Sequence, residues 1–140
     1  MRIRGVTLLE MLVVLLVVGV IVGLALPSYR QHLVRVNRSE ATIALYAIAA
    51  AEERFFLRHG RYTDDLTSAA PRGLGLPPVS NSSRYRLSVA LAGDGQTFIA
   101  SATPTTTGGQ DSDGECLVFS MDHRGRRAVS GSRDTAFCWR

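Results

Sequence analysis

An apolar run that begins almost at the N-terminus and carries a single acid constrains this chain most. From Val6 to Leu26 the only charged side chain is Glu10. A stretch of that length spans a bilayer as a helix. A carboxylate inside it is costly if unpaired, unless it sits at the membrane interface. A cut after Gly5 would free the amine of Val6 four residues before Glu10, and a neighbouring copy could present that cation to the acid. On the residues alone, pairing and interfacial placement both stay open. An ordinary secretory signal fits poorly. Arg2 and Arg4 supply a positive start, but the run ends in Leu26-Pro27-Ser28-Tyr29 with no A-x-A site. Arg30, Arg35 and Arg38 follow the run, so charge bias does not orient it.

The chain is 140 residues long, enough for one membrane segment and one modest head. From Thr7 to about His59 the pattern predicts one long helix, bent or interrupted near Pro27. Gly19 and Gly23 lower helix propensity just before the proline, so Gly19–Pro27 is where local melting is expected. Farther on, Val34, Ala41, Ala44, Ile48, Ala51 and Phe55 form an amphipathic stripe for core packing, with Arg35, Arg38, Glu52, Glu53 and Arg58 largely off it. Gly60 is a plausible terminator. Tyr62–Ser83 reads as a loop, with Asp64-Asp65 a cap or solvated turn.

Tyr85–Leu91 and Thr97–Thr103 alternate as half-buried strands around a Gly93-Asp94-Gly95 turn. Pro104–Gly114 reads as a loop, Cys116–Met121 as a third strand, Asp122–Gly125 as a turn and Arg127–Val129 as a short fourth strand. The expected fold is α+β: a long N-terminal helix packed against a small antiparallel sheet. Cys116 and Cys138 are the only cysteines. Their even count after a membrane segment points to a disulfide in an oxidising compartment, with two buried thiols as the alternative. If bridged, the loop between them contributes roughly 3 kcal/mol in the chain-entropy model. Trp139 is expected to pack the tail.

All 16 basic residues are arginine, and the net charge is +4; loss of Arg2 and Arg4 would leave +2, so general nucleic-acid binding does not follow. Locally, Arg124, Arg126, Arg127, Arg133 and Arg140 against Asp122 and Asp134 could meet an anionic polymer, although a solvated surface or a self-contact is the simpler reading. Asp111-Ser112-Asp113-Gly114-Glu115 resembles a fragment of a calcium loop without its full pattern, so a solvated turn is favoured and no metal is expected. His32, His59 and His123 are scattered. No catalytic constellation stands out, so neither an enzyme nor a cofactor is expected.

Gly5-Val6-Thr7-Leu8-Leu9-Glu10-Met11 resembles the N-terminal signal of type IV prepilins and pseudopilins: a short basic leader, Gly, a hydrophobic residue, Thr-Leu-x-Glu and an apolar helix. The similarity extends to Ala25–Tyr29, Arg38-Ser39-Glu40 and Gly60-Arg61-Tyr62-Thr63, and within the family it is to PilE-type minor pilins. The resemblance implies a leader at 1–5, an apolar helix half at 6–29 and an exported head at 30–140. It implies peptidase cleavage between Gly5 and Val6, N-methylation of Val6 and assembly through Glu10. Val6 stands where the family usually has Phe, which bears on methylation.

It further implies a helix loosened at Gly19, Gly23 and Pro27, and a disulfide-bounded C-terminal region. The implied partners are other pilins, a prepilin peptidase and inner-membrane assembly machinery. The precursor would lie in the inner membrane with a periplasmic head, and the subunit in an extracellular filament. The implied role is a pilus subunit that helps prime or cap assembly for twitching motility, adhesion or DNA uptake. A type II secretion pseudopilin, a pilus-displayed DNA or surface receptor, and an uncleaved anchored domain are the alternatives.

Overall fold

A computed structural model describes residues 6–140, apart from the side chains of residues 26–28, 30, 31, 107 and 108. The expected leader with Gly5, and the side chain of Pro27, lie outside the described residues. The chain divides into two units, one up to Arg35 and one from Val36 to Arg140.

Helix α1 runs Leu8–His59. Every side chain from Val6 to Ala25 is exposed, and Leu8–Ala25 is long and apolar enough to cross a membrane. So much apolar surface is stable only in lipid or against other apolar helices. Gly19 and Gly23 lie within the helix, with open space where a Cβ would stand. The helix ends at Gly60, whose φ of 69° is the left-handed conformation that glycine adopts without strain.

In the second unit, four strands form an antiparallel meander in the order β1 (Tyr85–Ala92), β2 (Thr97–Pro104), β3 (Phe119–Asp122) and β4 (Arg127–Val129). Period-two alternation puts Tyr85, Leu87, Phe98, Ala100, Ala102, Phe119 and Met121 on the buried face. Ala41, Leu45 and Ile48 of α1 join the same core. Small residues on both sides allow close approach, while Leu45, Ile48, Tyr85, Phe98 and Phe119 each contribute on the order of 2 kcal/mol by burial.

Four expectations need correction. Arg38 and Glu52 are buried rather than off the stripe; they share the spacing of Ala41, Leu45 and Ile48, and period outweighs charge. Leu45, absent from the expected stripe, is fully buried, whereas Phe55 is only half-buried. The third strand starts at Phe119, not Cys116, because Leu117 has a φ of 47° and breaks the extended chain. The expected Pro104–Gly114 loop contains a 3-10 helix at Thr107–Ser112, and a short helix α2 (Thr135–Cys138) follows Asp134, which caps it by accepting from the Phe137 amide.

Candidate functional site

At the N-terminus, Thr7 and Glu10 are linked by geometry as well as by sequence. The Thr7 hydroxyl accepts from the Glu10 amide at 3.2 Å and the Thr7 carbonyl from the Met11 amide at 3.2 Å. Thr7 is thus the cap of α1 and Glu10 its third helical residue, the T-x-x-E spacing of a capping box. The positive helix end favours a carboxylate there. Val6 and Glu10 are both exposed.

The head places several of its arginines at the two ends of the sheet. At one end lie the start of β3, the end of β4 and the tail. Arg38 meets both Asp113 oxygens at 2.7 Å and Glu115 Oε2 at 2.8 Å. Arg38 and Asp113 side chains are 7% and 3% exposed. The hydrogen bonds that Arg38 donates to Asp113, then the one to Glu115, hold the guanidinium well above its ordinary range against the pull of burial. Arg133 reaches Glu115 Oε1 at 3.4 Å, and both guanidinium groups lie over the Phe137 ring. Asn37, Gln110 and the Tyr85 hydroxyl continue the network through bonds of 2.9 Å. Cys116 and Cys138 are disulfide-bonded and buried here. Gly131 fits because a Cβ would collide with the backbone of Glu115 and Cys116. Asp113 and Glu115 therefore serve Arg38. The solvated turn expected for 111–115 does not describe the buried Asp113.

The register puts three connections at the other end: the loop after α1, the β1–β2 turn and the β3–β4 turn. Asp122 builds the last of these. Its Oδ1 accepts from the amides of Arg124 and Arg126 at 2.9 Å each, and its Oδ2 from Arg126 Nε at 2.7 Å. These bonds overcome burial and hold the Asp122 carboxyl below its usual range. Arg124 and Arg126 point into solvent. The adjoining cleft, about 590 Å³, is lined by Phe55, Arg61, Tyr62, Arg72, Asp94 and Gly95, among others. Tyr62 joins cleft and turn: its amide donates to the Gly95 carbonyl at 2.8 Å, and its ring lies 6.4 Å from that of His123.

Four of the five arginines grouped by sequence proximity are therefore separated. Arg124 and Arg126 share the turn end. Arg127 lies over the Tyr46 and Trp139 rings, at 5.6 and 5.4 Å. Arg133 belongs to the disulfide end. Trp139 packs edge-on against Tyr46 and Phe119, as tail packing requires. Arg61 and Arg72, exposed at the turn end, were not singled out as contact residues. Their signal was the Gly60–Thr63 segment, whose partner turn lies some thirty residues away in the chain. Among the described residues no group of three or more His, Cys, Asp or Glu is placed to hold a metal ion.

Comparison with known proteins gives a consistent result. Residues 27–120, more than half of the chain, match the family model "Type IV minor pilin ComP, DNA uptake sequence receptor". The chain is 29% identical over 105 residues to the type IV major pilin protein PilE1 of Neisseria gonorrhoeae, covering 75% of this chain and 54% of that protein. It is 32% identical over 111 residues to the type IV major pilin protein PilA of Myxococcus xanthus, covering 77% and 47%. It spans about half the length of these curated relatives. Among solved structures, a type IV pilin from Shewanella oneidensis aligns with a TM-score of 0.50 and 26% identity, over 69% of this chain and 92% of that one. The minor pilin PilV of Neisseria meningitidis, at 21% identity and a TM-score of 0.53 over 71% and 89%, shares the fold. With its capped apolar helix, four-stranded head and disulfide-bonded tail, this chain belongs to the type IV pilin family, within the group described by the ComP minor-pilin model.

Proposed function

We propose that this chain is a minor pilin of a type IV pilus whose head binds DNA during uptake. The observation that carries the reading is the open basic end of the sheet, where Arg124 and Arg126 project from one turn beside a cleft flanked by Arg61 and Arg72. Guanidinium groups spaced along one surface suit phosphate contact, while the cleft offers depth for a base edge or sugar. The family description, a DNA uptake sequence receptor, supports the same reading.

In this reading a peptidase removes Met1–Gly5 and Val6 becomes the N-terminus, with N-methylation as a further step. The precursor waits in the inner membrane with its head in the periplasm. Glu10 then pairs with the amine of a neighbouring pilin as the apolar helix enters the filament, and Gly19, Gly23 and Pro27 let it adapt. Other pilins and the inner-membrane assembly machinery are its partners. Priming or capping of the filament is the expected role, with motility or adhesion served through the same polymer.

Two measurements test this. Full-length chain in detergent should bind duplex DNA with a steep salt dependence, and Arg124→Ala/Arg126→Ala should reduce the slope of log K against log salt by about 2. Binding that is absent, or a slope unchanged in the variant, would reject this surface. N-terminal mass should show peptidase-dependent loss of Met1–Gly5; an intact Met1 in cells containing the peptidase would reject the assembly mechanism.

A further inference from the structure

The turn end rests on a buried acid that neither filament assembly nor DNA contact explains. Glu52 is fully buried on the core face of α1. Its Oε2 accepts from the Thr63 amide at 3.2 Å, and its Oε1 has no hydrogen-bond partner. An orphaned charged oxygen in a dry site is costly, whereas the neutral acid is tolerated far better. The surroundings add to the cost. Glu53 follows on the same helix, and Asp64 and the Tyr62 phenol approach from the loop. Burial first, then Glu53 and Asp64, outweigh the Thr63 hydrogen bond and push the carboxyl up to about 7. From the sheet side the titratable neighbour is His123, on the far side of Tyr62.

The loop that Glu52 grips is the one that carries Arg61. Gly60 is tied to the β1–β2 turn by Gln96 Nε2 at 3.1 Å, Tyr62 by its amide to Gly95, and the Tyr62 hydroxyl donates to Glu53 at 3.0 Å. Thr63 is held through Glu52, and its hydroxyl accepts from the Asp65 amide at 3.1 Å. Arg61 is thus exposed between anchored neighbours, one of which depends on an acid able to change its charge.

We propose that Glu52 is a positioning residue for the basic end: neutral, it stays buried and fixes the Gly60–Thr63 loop and Arg61; ionised, it draws in water and releases Thr63. The effect on DNA rests on the functional reading above, while the effect on the loop does not. The head would hold DNA more firmly under mildly acidic conditions than under mildly alkaline ones. His59 and His123 are the same in wild type and in a Glu52 variant, so comparing the two isolates Glu52.

The test compares wild type with Glu52→Gln, both as the full chain in detergent, from pH 5.5 to 8.5. Amide exchange at Thr63, corrected for its intrinsic pH dependence, should accelerate several-fold above pH 7 in wild type and not in the variant. Duplex DNA affinity should fall several-fold over the same range in wild type, and the variant should lose less than half of that. The Glu52 carboxyl of wild type, followed by carbon NMR, should titrate near neutral pH, a readout that survives if the variant folds poorly. A carboxyl that titrates in the ordinary acidic range, or parallel Thr63 exchange profiles, overturns the proposal. Parallel DNA affinity profiles overturn its coupling to binding. DNA binding absent at every pH, with the exchange difference intact, overturns the DNA reading and leaves the loop latch standing.

Discussion

The two ends of the sheet use arginine in opposite ways. At the disulfide end Arg38 is buried, with its charge spent on Asp113 and Glu115 and its face on Phe137. At the turn end Arg61 and Arg72 line a cleft, and Arg124 and Arg126 stand in solvent on the β3–β4 turn. A guanidinium buried against carboxylates and a ring holds the tail to the helix and is withdrawn from solvent. On the turn Arg126 spends one donor on Asp122 and Arg124 one on His123, contacts that contribute little to stability at such exposure and leave the outer edge of each guanidinium in solvent. One residue type thus serves as a fastener where its carboxylate partners are buried with it, and as a contact surface where it pairs in solvent.

This contrast breaks most easily at Arg38. Arg38→Ala leaves Asp113 buried and unpaired, so the head should lose about 3–5 kcal/mol in chemical denaturation. A loss below 1 kcal/mol would mean that water replaces the guanidinium. Next in size, Cys116→Ser/Cys138→Ser should cost about 3 kcal/mol, measured against the oxidised protein under non-reducing conditions. Gly131→Ala should cost about 1–3 kcal/mol by the same measurement, because the added methyl meets backbone.

Glu52→Gln sharpens the other side of the comparison. The Glu52 carboxyl is raised in the folded state, so its stabilising contribution is complete below the unfolded value of about 4.5. That contribution declines as pH rises towards about 7. The Gln variant should match wild type at pH 4 and be more stable at pH 8, by roughly 1–2 kcal/mol. Equal pH dependence in thermal melts would contradict this. Smallest in stability is Arg124→Ala/Arg126→Ala, expected within about 0.5 kcal/mol of wild type. The separation of roles predicts that this pair changes the salt slope of DNA binding and leaves the fold alone.

Much of the architecture could be read from local pattern. Alternation in Tyr85–Leu91 and Thr97–Thr103 located both strands, because a strand has a period of two whatever it pairs with, although Leu91, in phase with Tyr85 and Leu87, is exposed. The Thr7-x-x-Glu10 spacing held a cap that its family resemblance had not suggested. The stripe on α1 was read less well. Charge disguises Arg38 and Glu52, which occupy positions that the helical period assigns to the core. The candidate contact surface was read least well, since closeness in sequence joined Arg124 and Arg126 to Arg133, at the opposite end of β3 and β4.

Local spacing dictates the apolar helix, its capped start, the order of strands and the family, because each depends on residues within a few dozen positions. Which charges are buried in pairs and which stand in solvent depends on long-range packing. Arg38 finds Asp113 across 75 positions, and Glu52 finds Thr63 across a helix end. Such pairings follow from strand register and the packing of the helix on the sheet. Both depend on how the whole core closes, which no single segment encodes.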